Sequence, residues 1–185
     1  MYDLAPATQE MSRLVSAVGD DQLTRPTPCS DWTVAALLAH IHQFATVFTD
    51  NARKQPTRPP QRLVDDWRAA IPRQLGELAD AWAVESAWQG KTSAGGIEMD
   101  AADNALVAVE ELTVHGWDLA SATGQPIDVR DDTLDQVDRF FERFAGPIES
   151  GQGPFGPVAE APADADRLAR TVARTGRDPR WSPSQ

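Results

Sequence analysis

The sequence predicts an all-α protein, a four-helix bundle with a short loop or hairpin insertion and a C-terminal wrapping segment. Three observations carry that expectation. Apolar residues recur at three- and four-residue spacing over four long stretches. No alternation of strands with helices accompanies them, and prolines and glycines gather mainly between the stretches. The 185 residues are 41% hydrophobic and 24% charged, a balance suited to one folded core. One domain over 1–185 is expected, with the bundle core at about 3–145 and a wrap and short helix over 146–185.

The first helix is read from about Asp3 to Val18, because Leu4, Met11, Leu14, Val15 and Val18 share a face. Gly19-Asp20-Asp21 stops it. Pro26 and Pro28 keep the stretch Thr24 to Ser30 out of a helix, and Ser30 or Asp31 is suited to cap the next one. That second helix runs from Thr33 to about Asn51, with Leu37, Ile41, Phe44 and Phe48 on one face. Lys54 to Pro60 is a polar connection. A third helix is expected from about Gln61 to Trp82, burying Val64, Trp67, Ile71, Leu75 and Leu78, with a kink or break near Ala69 caused by Pro72.

Residues 83–99 have no helical period and contain Ser93-Ala94-Gly95-Gly96, so a loop or short hairpin fits there. The fourth helix, about Asp100 to Thr123, ends at Gly124, a natural helix stop. The fifth spans about Asp131 to Phe144 and carries Leu134, Val137, Phe140, Phe141 and Phe144. Gly146 to Pro162, rich in Gly and Pro, is expected to wrap the bundle. A short helix, Asp164 to Thr175, then precedes a polar tail with Trp181.

Charge and composition exclude several functions. The net charge is −11 and the pI about 4.6, which leaves no basic face for nucleic acid. The apolar runs, such as Val34 to Ile41, fall well short of the ~20 residues of a membrane span. Asp3 and Glu10 interrupt the place of a secretory signal, so a cytoplasmic protein without a membrane partner is expected. Cys29 is the single cysteine. An internal disulfide and a four-thiolate site are therefore excluded, and a metal would need His and carboxylate ligands.

Helical geometry draws attention to His40, Glu111 and His115. At ~100° per residue, Glu111 and His115 lie about 40° apart and one turn distant, so both side chains can meet one ion. His40 lies beside the apolar stripe of the second helix. Two imidazoles and one carboxylate make the three-ligand count that leaves a position open for water or substrate. The bland alternative is a pair of packing histidines, since Glu-x-x-x-His pairs arise often by chance and the sequence does not show which helices meet. Asp118 shares the His115 face and is a candidate to orient that imidazole, or equally a plain salt-bridge or helix-surface carboxylate. Glu110 points elsewhere and reads as a solvated charge, and His42 as a surface residue. Cys29 reads as an inert, partly buried thiol, Trp32 and Trp117 as packing residues, and Arg139 and Arg143 as solvent-facing.

Pro26-Thr27-Pro28-Cys29-x-x-Trp32-Thr33-Val34, Leu37-Leu38-Ala39-His40, and Glu111-Leu112-x-Val114-His115-Gly116-Trp117-Asp118-Leu119-Ala120 resemble one family over nearly the whole chain. So do Phe155-Gly156-Pro157 and Gly176-Arg177-Asp178-Pro179-x-Trp181. It is the mycothiol-dependent maleylpyruvate isomerase N-terminal-domain family of actinobacteria, within the DinB-like metal-binding four-helix bundles. The resemblance implies an up-down-down-up bundle with a divalent ion, most simply zinc but also nickel, iron or manganese, held by His40, Glu111 and His115. It further implies that the ion activates the thiol of mycothiol to attack an electrophile. The isomerase has a further C-terminal domain for which 185 residues leave no room, so a single-domain relative is expected and maleylpyruvate isomerisation itself is not.

The expected activity is a metal-dependent thiol S-transferase or isomerase-like reaction, with a small-molecule thiol and an electrophile as partners. A metal-dependent hydrolase and a non-catalytic metal or small-ligand binder fit the same ligands and stay open here. So do the substrate and the oligomeric state, a homodimer included.

Overall fold

The computed structural model describes residues 1–29, 31–94, 96–145 and 155–183. Six α-helices dominate them: α1 (Ala5–Ser16), α2 (Val34–Ala52), α3 (Trp67–Trp82), α4 (Ala101–Thr123), α5 (Asp131–Arg143) and α6 (Arg167–Arg174). The expected insertion is an antiparallel hairpin, β1 (Lys91–Ala94) with β2 (Ile97–Asp100), in which Lys91 faces Asp100 across the ladder. Among the described residues no helix is long and apolar enough to cross a membrane.

Side-chain bonds between the helices fix their directions. Arg68 at the start of α3 donates to the Val18 carbonyl just past α1 at 3.0 Å, so α1 and α3 are antiparallel. Gln74 donates to Thr49 at 2.9 Å and Arg53 to Glu77 at 3.2 Å, which sets α2 and α3 running the same way. Gln22 donates to the Thr123 carbonyl at 3.1 Å, while the Tyr2 hydroxyl lies 3.5 Å from that of Ala102, so α1 and α4 are parallel. Asn51 donates to Asn104 at 3.1 Å and His40 lies opposite Glu111, which makes α2 and α4 antiparallel. The result is the up-down-down-up order implied by the resemblance.

The core is filled by Met11, Leu14 and Val15 of α1, Leu37, Leu38 and Ile41 of α2, Ile71, Leu75 and Leu78 of α3, and Leu119 of α4. Fully burying each such side chain is worth about 1.5–3 kcal/mol. Helix α4 packs against α1, α2 and α5 and has almost no exposed side. It stops where expected, with Gly124 in the left-handed conformation at φ 70°.

Three local expectations are corrected. The cap of α2 is Thr33, whose hydroxyl accepts from the Ala36 N–H at 3.3 Å, and not Asp31; Ser30 lies outside the described residues. Thr33 wins because it is the last extended residue before the helix, at ψ 165°. Helix α3 begins at Trp67 rather than near Gln61, so Pro72 stands five residues into an unbroken helix and no break occurs near Ala69. Before it, Leu63 and Val64 pack against the core from an irregular segment instead of extending the helix. Helix α6 is shorter than 164–175, starting after Asp166, whose carboxylate accepts from the Ala169 N–H at 2.7 Å. Of the expected wrap, 146–154 lie outside the described residues.

Candidate metal centre

Antiparallel pairing of α2 and α4 brings together the three residues singled out by spacing. The Glu111 Oε2 oxygen lies 3.2 Å from Nε2 of His40 and 3.2 Å from Nε2 of His115. The three ligand atoms all lie within 4.8 Å of one another. For donors ~2.0–2.1 Å from an ion at tetrahedral angles, neighbouring donors stand about 3.3 Å apart, so the spacing suits a small divalent cation. The side chains of His40 and Glu111 are each 25% exposed and that of His115 is 10% exposed, which leaves one side of the cluster open.

The protonation chemistry also fits a cation. Nδ1 of His115 lies 2.8 Å from Asp118 Oδ2 and donates its proton there, which leaves Nε2 with a free lone pair in the neutral ring. Burial would push the His115 imidazole down, but Asp118 and Glu111 outweigh it and hold it up at about 9. Burial likewise works against ionised Glu111, yet the two imidazoles keep its carboxyl well below the usual range. A carboxylate and two imidazoles crowded in this way are electrostatically satisfied either by protons on the rings or by a metal.

Asp118 is not a surface carboxylate. It is fully buried, and Arg177 grips it with two bonds, Nε to Oδ1 at 2.7 Å and Nη2 to Oδ2 at 2.8 Å. Paired donors of this kind fix the carboxylate plane as well as its charge. Sequence reading missed Arg177 because it lies 59 residues beyond its partner. Its local signal was the glycine before it. The Gly176 N–H donates to the Ala173 carbonyl at 3.0 Å and that of Arg177 to Val172 at 3.3 Å, a helix-ending turn that needs Gly176 at φ 81° and sends Arg177 back toward α4.

The loop before α2 covers the cluster. Pro26 and Thr33 form a β-bridge, the Thr27 N–H donates to the Trp32 carbonyl at 3.0 Å, and Asp31 takes a left-handed φ of 66°. Trp32 is thereby stacked on His115 at 5.8 Å between ring centres and meets His40 at a tilt, 4.8 Å between centres, and Phe44 approaches both imidazoles from α2. Cys29, half-buried as expected, brings its sulfur to within 4.8 Å of ligand atoms of His115 and Asp118. Burial and the Asp118 carboxylate push its thiol up, against the pull of Arg177, which is the electrostatics of an unreactive cysteine.

Two expectations fail. Glu110 is buried at 5% exposure, because α4 is enclosed on three sides, and burial beside Glu111 pushes its carboxyl up. His42 is half-buried against α3, near Arg73 and Asp66, with its Nδ1 shielded, and burial pushes its imidazole down. Trp117 is core, and Arg139 and Arg143 are exposed, the latter paired with Asp103 at 2.8 Å.

An up-down-down-up helical bundle with two histidines and a glutamate converging from antiparallel helices defines a recognisable class, the DinB-like four-helix bundle. Residues 4–120 match the family described as the mycothiol maleylpyruvate isomerase N-terminal domain, and the chain belongs to that family. The uncharacterized proteins Rv0738 and MT0763, from two strains of Mycobacterium tuberculosis, are each 28% identical over 181 residues, covering 92% of this chain and 95% of theirs. Two crystal structures of the mycothiol-dependent maleylpyruvate isomerase, one a mutant, share the fold. They superpose with TM-scores of 0.53 and 0.55 at 20% and 18% identity, over 72% of this chain. The match spans 65% of the isomerase chain's own length.

Proposed function

We propose that His40, Glu111 and His115 hold a divalent metal, zinc in the first instance, and that the protein is a metal-dependent thiol S-transferase or isomerase-like enzyme. Its co-substrate is a low-molecular-weight thiol of the mycothiol type, and its second substrate a small electrophile. The observation that carries the reading is the shared Glu111 oxygen 3.2 Å from both Nε2 atoms, with the other His115 nitrogen committed to Asp118. Family membership and the isomerase fold point the same way.

A bound zinc would stabilise a coordinated thiol as thiolate, the nucleophilic form, in a position left open by three protein ligands. The chain's own residues do the rest. Asp118, gripped by Arg177, keeps the His115 proton on Nδ1 and the ring fixed. Trp32 and Phe44 shield the imidazoles from water, while the partial exposure of His40 and Glu111 keeps a way in for both substrates.

The test pairs metal analysis with turnover. Protein purified without chelator is expected to carry about one zinc per chain, and zinc-loaded protein is expected to consume thiol in step with 1-chloro-2,4-dinitrobenzene. Mycothiol should outperform glutathione and cysteine. Stoichiometric zinc with ester hydrolysis and no thiol consumption would replace the transferase by a hydrolase. Failure to bind any divalent metal would end both.

A further inference from the structure

The irregular segment ahead of α3 stands off the outer face of α2 and leaves a trough of about 480 Å³ that opens beside the candidate metal centre. Trp32, Ala36, Ala39 and His40 line it from the α2 side, and Arg62 and Leu63 from the segment ahead of α3. That volume lies within the ~300–1,000 Å³ of small-molecule sites. His40 belongs to both features: its Nε2 faces Glu111 and its ring borders the trough. A molecule lying in the trough therefore has one end next to the open side of the metal ligands.

The charge pattern is unusual for so acidic a chain. No carboxylate lines the trough, and its cation is Arg62. Arg25 pairs with Asp21, Arg53 with Glu77 and Arg68 with Asp20, whereas Arg58 and Arg73, which do not line the trough, are without a carboxylate partner among the described residues. Arg62 has no carboxylate partner among the described residues. Planar guanidinium donors at the rim of an apolar floor favour a ligand with an apolar body and a planar anionic head. One such cation matches one carboxylate.

We propose that this trough binds the electrophilic substrate, and that the substrate class is an apolar monocarboxylate. Its body lies on Ala36, Ala39 and Leu63, its carboxylate on Arg62, and its reactive carbon at the His40 end. The proposal rests on the reading above for its chemistry but not for its binding, since Arg62 and the alanines hold the ligand without the metal. It also separates this chain from an enzyme built for a diacid such as maleylpyruvate, for which a trough with a single cation is poorly matched.

Trans-cinnamate and its neutral amide, cinnamamide, are suitable probes in calorimetric or ligand-observed NMR titrations of the full chain, zinc-loaded and zinc-free. Cinnamate is expected to bind at least about tenfold more tightly than cinnamamide, the scale of a charge-assisted hydrogen-bond pair. Arg62→Gln should bring cinnamate down to the level of the amide while leaving the amide unchanged. Ala36→Leu, at an exposed helix position where folding is not at risk, should weaken both. Zinc content should be unaltered in both variants. Equal binding of the two probes, binding of neither, or indifference to Arg62→Gln overturns the proposal. Failure of zinc binding with the Arg62-dependent preference intact would sink the metal reading and leave the trough standing.

Discussion

Helices α2 and α4 are joined by two polar links, one buried and one partly exposed, and the contrast between them shows what separates a structural contact from a candidate site. Near the hairpin, Asn51 donates to the Ser93 carbonyl at 2.7 Å and to Asn104 at 3.1 Å, and Asn104 donates in turn to the Met99 sulfur at 3.7 Å. That link is neutral, and both Asn side chains are buried. Toward the other end, His40, Glu111 and His115 form a charged link that is partly exposed, with both Nε2 atoms 3.2 Å from one Glu111 oxygen and a trough alongside. Polar contact across the helix pair is shared by both. Ionisable groups beside an open volume belong to one.

Metal binding breaks the comparison most sharply. His115→Ala should abolish stoichiometric zinc, a loss beyond the ~10–100-fold typical of outer partners, whereas Asn104→Ala should keep it; equilibrium dialysis with metal analysis distinguishes the two. Retained zinc in the His115 variant would mean that the ligands are other residues. Next in size, Asp118→Asn or Arg177→Gln should weaken zinc by about 10–100-fold with the helical content unchanged, because both act through the orientation of one imidazole. Competition with a chromophoric chelator measures this.

Stability should show the reverse ranking. Asn51→Ala leaves Asn104 buried without its partner and should cost about 1–3 kcal/mol in urea unfolding, with no change in zinc affinity. The smallest effect is one of pH in zinc-free protein. The His115 imidazole is held at about 9 against an ordinary 6.5, so its stabilising contribution is whole below pH about 6.5 and fades as pH rises through about 9. His115→Ala should flatten the stability profile across that window, and Asn51→Ala should lower it evenly. A parallel shift in both variants would show that the imidazole is not coupled as described.

Much of this was legible in the sequence because it depends on local spacing. Glu111 and His115 are one turn apart on any helix, and Gly124 ends α4 whatever surrounds it. What could not be read depends on which elements meet. His40 reaches Glu111 across 71 residues and Arg177 reaches Asp118 across 59. Glu110 was misjudged for the same reason: its helical angle is set by its neighbours in sequence, while its burial is set by α1, α2 and α5 around it. The start of α3 was misplaced because Leu63 and Val64 have the apolar character of a helix face, yet satisfy it by packing from a loop.

The turn at Gly176 ties backbone freedom to the placement of the His115 ring, through Arg177 and Asp118. A Cβ there would stand 3.0 Å from the Gly156 backbone and the Pro157 carbonyl oxygen, at a φ of 81° that other residues rarely adopt. Any replacement must push two crossing segments apart, and the residue carried along is Arg177. On the metal reading proposed above, a saturation library at this position, sorted only for solubility, would pass variants whose defect surfaces later as feeble zinc retention. Inheritance of the crossing and inheritance of a well-tuned imidazole are in effect one trait.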